Sequence, residues 1–213
     1  MPTKKVVIAT NNAHKLEEIS RMLAPVTGWE FVSLKECGTY PEPVEDADDF
    51  EGNARIKALA ARDNTGLPAL ADDSGLVVDA LDGAPGVYSS RFAGEDATDA
   101  QNNAKLLDLM ADVPDDERTA RFVCTLVFVD TDGSEIVAHG SCEGKIGYEA
   151  RGDNGFGYDP LFYADAFDGK LTTAEVPSEQ KDAISHRGEA LRAFIRESRS
   201  MIKGSRDVFC DFV

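Results

Sequence analysis

The apolar positions of this chain fall into short runs and helical stripes, never into one long hydrophobic block. Near the start, the run Val6–Ala9 stops abruptly in the small polar stretch ATNNAHK, which ends at Lys15, and a charged pattern follows. Lys5–Ala9 reads as a short buried strand. His14–Ala24 reads as a helix with Leu16, Ile19, Met22 and Leu23 on one face. Phe31–Leu34 predicts a second strand, and PEPVEDADD, Pro41 to Asp49, a proline-rich acidic loop. An alanine-rich helix is expected over Phe50–Asp63 with Asp49 as its N-cap. Leu70–Ala71 then leads into ADDSGLVVDAL, a strand-like segment interrupted by acids, in which Ser74–Gly75 reads as a tight turn.

In the second half, Gly83–Gly94 is loop by composition. Thr98 and Gln101 form a capping box for a helix reaching about Met110. Arg121–Val129 is rich in β-branched and aromatic residues, and Asp132–Gly133 supplies a hairpin turn into Glu135–Gly147. A glycine-rich loop, RGDNGFGYDP, follows, and a closing helix is expected from Ser185 to Ile202. Strands and helices alternate early and a hairpin sits late, which predicts an α/β fold with a mixed β-sheet flanked by helices. No repeat and no linker separates two folding units, so residues 1–213 read as one domain.

Charge narrows the partners. With 22 basic and 39 acidic residues the net charge is −17, which repels a nucleic-acid polymer. A small phosphorylated ligand stays possible, because screening confines that background to about 8 Å. Cys37, Cys124, Cys142 and Cys210 lie far apart with no C-x-x-C pair, and read as reduced thiols of a cytoplasmic protein. No run of about 18 apolar residues and no signal-type apolar region occurs, so no membrane partner is expected.

Three stretches carry candidate chemistry, and each has a plainer reading beside it. In ATNNAHK, either Asn11 or Asn12 simply caps the helix, or Thr10, Asn11, Asn12 and the loop amides cradle a phosphate with Lys15 adding charge. Asp72 and Asp73 are either local turn acceptors or, with Glu45, oxygen ligands for Mg²⁺. In GFGYDP, Phe156 and Tyr158 beside Asp159 suit a base-stacking platform, with Lys181, His186 and Arg187 as donors near the last helix. The alternative is a packed glycine loop and a helix whose first turn tolerates basic residues at about 0.3–1 kcal/mol each.

Taken together, IATNNAHKLEEI, FEGNARIKA, LADDSGLVVDALDGAPGVYSSRFAG, FGYDPLF and AISHRGEAL resemble, in order, the motifs of the inosine triphosphate pyrophosphatases. The resemblance runs from residue 6 to about 192. It implies Mg²⁺-dependent hydrolysis of non-standard purine nucleoside triphosphates (ITP, dITP, XTP) to monophosphate and pyrophosphate, an elongated two-lobed fold with a deep central cleft, and a homodimer. Carried over by position, Thr10, Asn11, Asn12, Ala13, His14 and Lys15 would hold the triphosphate. Glu45 and Asp73 would bind metal, with Asp73 also accepting the proton of the attacking water and Asp72 supporting it. Ser74 would touch the nucleotide, Phe156, Gly157, Tyr158 and Asp159 would line the base pocket, and Lys181, His186 and Arg187 would meet the base edge. The chain departs from the family at Gly52, where a glutamate is usual after Thr-Phe-x. Two rivals remain: a pyrophosphatase with a different base preference, and a nucleotide-binding regulator without turnover.

Overall fold

Strand β1, Lys4–Ile8, is the first element of a computed structural model that describes residues 3–38 and 40–199. Its parallel neighbours are β2, Trp29–Ser33, in the register Val6 opposite Phe31, and β3, Ala69–Val78, with Val7 opposite Ala69. The remaining strands are β4, Thr119–Val129, β5, Glu135–Ile146, and β6, Phe162–Ala164. They complete one sheet in the order β2-β1-β3-β4-β5-β6, with β6 antiparallel to β5. Parallel and antiparallel pairs together make the sheet mixed, as the alternation of elements predicts.

The helices are α1, Ala13–Leu23, the short α2, Leu34–Cys37, then α3, Phe50–Thr65, and α4, Asp99–Leu109. Two more close the described chain, α5, Ser178–Ile184, and α6, His186–Ser198. Local caps match the sequence: Asn12 Oδ1 starts α1, Asp49 starts α3, and Thr98 with Gln101 forms the capping box of α4. The hairpin after β4 closes through the Asp130 N–H to Ser134 O bond at 2.8 Å.

One reading changes. Ser74–Gly75 is no turn: β3 runs straight through it, and Leu76 N–H donates to Ser89 Oγ at 2.9 Å, so non-local backbone pairing overrides local turn chemistry. The final helix begins where expected, at His186, and a separate short helix, α5, precedes it. Ser185 is extended, with φ −70° and ψ 153°, and its hydroxyl caps α6 by accepting the Gly188 N–H at 3.0 Å. Lys181 therefore belongs to α5, ahead of His186 and Arg187. The expected end of that helix at Ile202, like Cys210, lies outside the described residues.

By its contacts the chain forms two compact units. The first combines the chain up to Asp72, Thr125–Ala138 and the chain from Leu191 on. Its core sets Ala54, Ala58 and Ala61 of α3, all without exposed surface, with Val7, Ala69, Ala71, Val127 and Val129 of the strands. Small side chains at that helical spacing let backbone approach backbone. An aromatic group joins Trp29 to Phe128, ring centroids 5.1 Å apart, and to Phe194 at 5.8 Å. The second unit combines Asp73–Cys124 and His139–Ala190. Its core gathers Leu76, Val78, Leu106, Met110, Phe122, Ile146, Leu161 and Phe162.

A buried cation, Arg118, braces that core. Arg118 is 1% exposed, and its guanidinium donates to the carbonyls of Met110 at 2.6 Å, Val113 at 3.1 Å, Ile146 at 2.8 Å and Gly147 at 2.8 Å. Its outer face lies 4.0 Å from the Tyr148 ring centroid. Cys37, Cys124 and Cys142 are free thiols, and burial, with Asp165 adding to it, pushes Cys142 up to about 12. No described helix is long and apolar enough to cross a membrane. Replacing Arg118 by leucine strands several buried carbonyls, each costing about 1–3 kcal/mol. Arg118→Leu is therefore expected to lower urea-unfolding stability by about 3 kcal/mol or more, and a loss below about 0.5 kcal/mol would contradict this role.

Candidate active site

In the first unit, the loop between β1 and α1 is organised by side chains. Asn12 Oδ1 accepts the N–H groups of His14 at 2.9 Å and Lys15 at 3.1 Å, while Thr10 Oγ1 accepts the Asn12 N–H at 3.2 Å. The capping reading of this stretch therefore holds, and two of the amides offered to an anion are taken by the cap. Asn11 Nδ2 donates to Glu42 of the acidic loop at 3.1 Å. Ala13 and His14, the first residues of α1, are exposed.

Lys15, by contrast, is not simply solvated. Its Nζ lies 2.5 Å from Asp72 Oδ1, and the Asp72 side chain is 0% exposed while that of Lys15 is 16% exposed. A carboxylate in such a place costs several kcal/mol unless a counter-charge accompanies it. The pair thus supplies a positive group at the rim of the β1–α1 loop and a reason for its position.

Glu45, also in the first unit, pairs with Lys57 of α3 at 3.0 Å, a partner that no local pattern signals. Asp73, the neighbour of Asp72 along β3, is itself only 7% exposed. Among the described residues no group of three or more His, Cys, Asp or Glu is placed to hold a metal alone. Mg²⁺ asks for less, usually one or two carboxylates with waters and substrate phosphates completing the shell. Glu45 in the first unit and Asp73 in the second are each carboxylates of that donor type.

In the second unit, the glycine loop is built around the Asp159 carboxylate. It accepts the Phe156 N–H at 2.9 Å, the Thr173 hydroxyl at 2.7 Å and the Lys181 ammonium at 2.5 Å. Gly155 has φ +75°, and a Cβ there would strike Asp159 Oδ2, so both conformation and space demand glycine. Asp159 therefore supports Phe156 and Lys181 from behind; its oxygens are already occupied. Lys181 Nζ lies 4.9 Å and the Arg187 guanidinium 5.7 Å from the Phe156 ring centroid, within cation–π range. Lys181 is 5% and Arg187 2% exposed. Arg187 also donates to Ser74 Oγ at 2.9 Å, and the His186 ring stacks on Phe122 at 4.9 Å and 14°.

Several supporting residues escaped the sequence reading. Asp99 and Asn103, one turn apart on α4, hold both sides of Gly157: Asp99 accepts its N–H at 2.7 Å and Asn103 donates to its carbonyl at 2.9 Å. Their i, i+4 spacing was the available signal, but nothing local marked their target. Tyr158 is buried, its hydroxyl donating to Ser89 O at 2.8 Å, and burial followed by the nearby Asp99 charge pushes its phenol up. Phe156, Gly157, Asp159, Lys181, Arg187 and Ser74 thus come together within this unit, joined by Thr173 and α4.

Known proteins resemble this chain over most of its length. A model of the Ham1 family matches residues 6–197. The dITP/XTP pyrophosphatase of Desulforamulus reducens is 53% identical over 188 residues, covering 88% of this chain and 92% of that protein. Its counterpart in Cutibacterium acnes is 53% identical over 192 residues, covering 90% and 94%. Among solved structures, a HAM1 protein from Coxiella burnetii aligns with a TM-score of 0.82 at 40% identity, covering 95% of this chain and 100% of that one.

The Lys15–Asp72 pair gives a direct expectation. Lys15→Met leaves a buried carboxyl without its counter-charge and should cost about 3–5 kcal/mol at neutral pH. Chemical denaturation of Lys15→Met and of Lys15→Met/Asp72→Asn measures it: the double variant should recover much of the loss, and additive losses would contradict the pairing.

Proposed function

The chain belongs to the Ham1 family, and from that premise we propose that it hydrolyses non-standard purine nucleoside triphosphates such as ITP, dITP and XTP, clearing them from the nucleotide pool. It acts as a nucleoside-triphosphate pyrophosphatase. Water attacks the α-phosphorus, the bond from that phosphorus to the α–β bridging oxygen breaks, and monophosphate and pyrophosphate are released. The observation that carries the base preference is the pair of buried cations, Lys181 and Arg187, gathered at the Phe156 ring.

A purine stacked on Phe156 would present its C6 edge to those donors. Hypoxanthine and xanthine carry an acceptor there, whereas adenine carries a donor. Meeting donor with donor leaves buried polar groups unpaired, and such sites discriminate by about 10⁴-fold or more. Ser74, oriented by Arg187, is assigned a contact to the nucleotide, and His186 one to the base edge. Gly157 and Tyr158 complete the base pocket.

Thr10, Asn11, Asn12, Ala13, His14 and Lys15 are assigned to the triphosphate, with Lys15 held in place by Asp72. Asp73 is the proposed acceptor of the proton released by the attacking water, and a positioned base of this kind contributes about 10²–10⁴-fold. Glu45 and Asp73 are the proposed ligands of Mg²⁺, which when bound neutralises phosphate charge.

We read residues 1–213 as one pyrophosphatase domain, because both compact units draw on separate stretches of chain and β3, β4 and β5 pass from one to the other. The reading extends to a cytoplasmic homodimer whose partner is a small triphosphate. The net charge of −17 supports the exclusion of nucleic-acid polymers.

Product identity tests the reaction: with Mg²⁺, ITP and XTP should release pyrophosphate, and ATP and GTP far less. Equal rates across the four, or orthophosphate as first product, would overturn the proposal. Asp73→Asn should still bind ITP by calorimetry while turnover falls about 10³-fold. Turnover near that of the parent enzyme would remove Asp73 from the role.

A further inference from the structure

The acidic loop that carries Glu45 is fastened to α3 by its backbone. Asn53, only 1% exposed, takes both polar groups of Ala47: its Oδ1 accepts the Ala47 N–H at 3.0 Å and its Nδ2 donates to the Ala47 carbonyl at 3.3 Å. Asp49 Oδ1 accepts the Gly52 N–H at 2.7 Å, and Lys57, one turn beyond Asn53, donates to Glu45 at 3.0 Å. Gly52 sits in the middle of these contacts. A Cβ built there would lie 2.5 Å from Ala47 Cβ and 3.0 Å from Asp49 Oδ1. Carbon atoms pack at about 3.5–4.0 Å. A methyl group on Ala47 follows its backbone and has no rotamer to escape into, and Asn53 pins that backbone.

We propose that Gly52 is a positioning residue, the point at which the Glu45 loop docks backbone-close on α3, with Ala47 and Asn53 as its counterparts. The proposal rests on the reading of Glu45 as a metal ligand, and it explains why glycine occupies the first turn of α3. A side chain at this place pushes Ala47 outward, breaks the Asn53 clasp and releases the loop. Helix propensity alone argues the reverse, since alanine is a better helix former than glycine. The two effects on loop order therefore have opposite signs.

The test compares the parent enzyme with Gly52→Ala, Ala47→Gly and Gly52→Ala/Ala47→Gly. Hydrogen–deuterium exchange over residues 43–49 reads the docking, and the Mg²⁺ concentration for half-maximal pyrophosphate release from ITP reads its consequence. Gly52→Ala should speed exchange at Ala47 about tenfold and raise the Mg²⁺ requirement severalfold. The double variant, which deletes the colliding methyl, should return both towards the parent values, and its recovery is the decisive arm even where Gly52→Ala is too unstable to assay. Unchanged exchange in Gly52→Ala, or a double variant as loose as the single one, overturns the proposal. Glu45→Gln with the parent's Mg²⁺ dependence overturns instead the assignment of Glu45, and the exchange data alone then decide the docking.

Discussion

Two consecutive acids, Asp72 and Asp73, stand inside a largely apolar and mostly buried strand, and much of the architecture answers that fact. Burial makes a charged carboxylate costly, so each acid needs a compensating partner or a neutral form. For Asp72 the partner is Lys15, brought within 2.5 Å by the β1–α1 turn. The turn can be glycine-free because Asn12 and Thr10 supply its internal hydrogen bonds. A lysine held this way has little orientational freedom left, which in its proposed role would lower the cost of meeting a phosphate. That is preorganisation, the chief means by which such enzymes stabilise developing charge.

The second unit uses the same economy. Asp159 is spent on Lys181, Thr173 and the Phe156 amide, so its charge fixes the donor proposed to face the base. Asp99 and Asn103 hold the Gly157 peptide from α4, and Arg118 satisfies carbonyls that would otherwise be stranded in the core. In each case a polar group is buried only where its partners are already arranged. Rigid support of this kind is what the proposed reading of a base edge requires.

Where a feature was local, the sequence was readable. The capping box at Thr98 and Gln101, the Asp49 cap and the Asp132–Gly133 turn depend on residues within a few positions of one another. The Ham1-type motifs also identify the family, since they are long and irregular. What stayed hidden was non-local. Ser74–Gly75 looks like a turn until its neighbours in the sheet and the Ser89 hydroxyl claim its strand, and the short helix α5 ahead of Ser185 is not expected from its local pattern. Lys15 and Asp72, Glu45 and Lys57, and Gly157 and Asn103 are far apart in the chain, and periodicity says nothing of such pairs. Gly52 was visible as a departure, but only the closeness of Ala47 gives it a physical meaning.

The chemistry reduces to where water attacks. In the proposed mechanism Lys15 meets the departing pyrophosphate, where a bound metal would add positive charge, and Asp73 aims the nucleophile at the α-phosphorus. Hydrolysis of ITP in ¹⁸O-labelled water, with the products separated and weighed by mass spectrometry, reads that point of attack directly. The label should appear in the nucleoside monophosphate and be absent from the pyrophosphate. Label in the pyrophosphate would place the attack on the β-phosphorus and contradict the account.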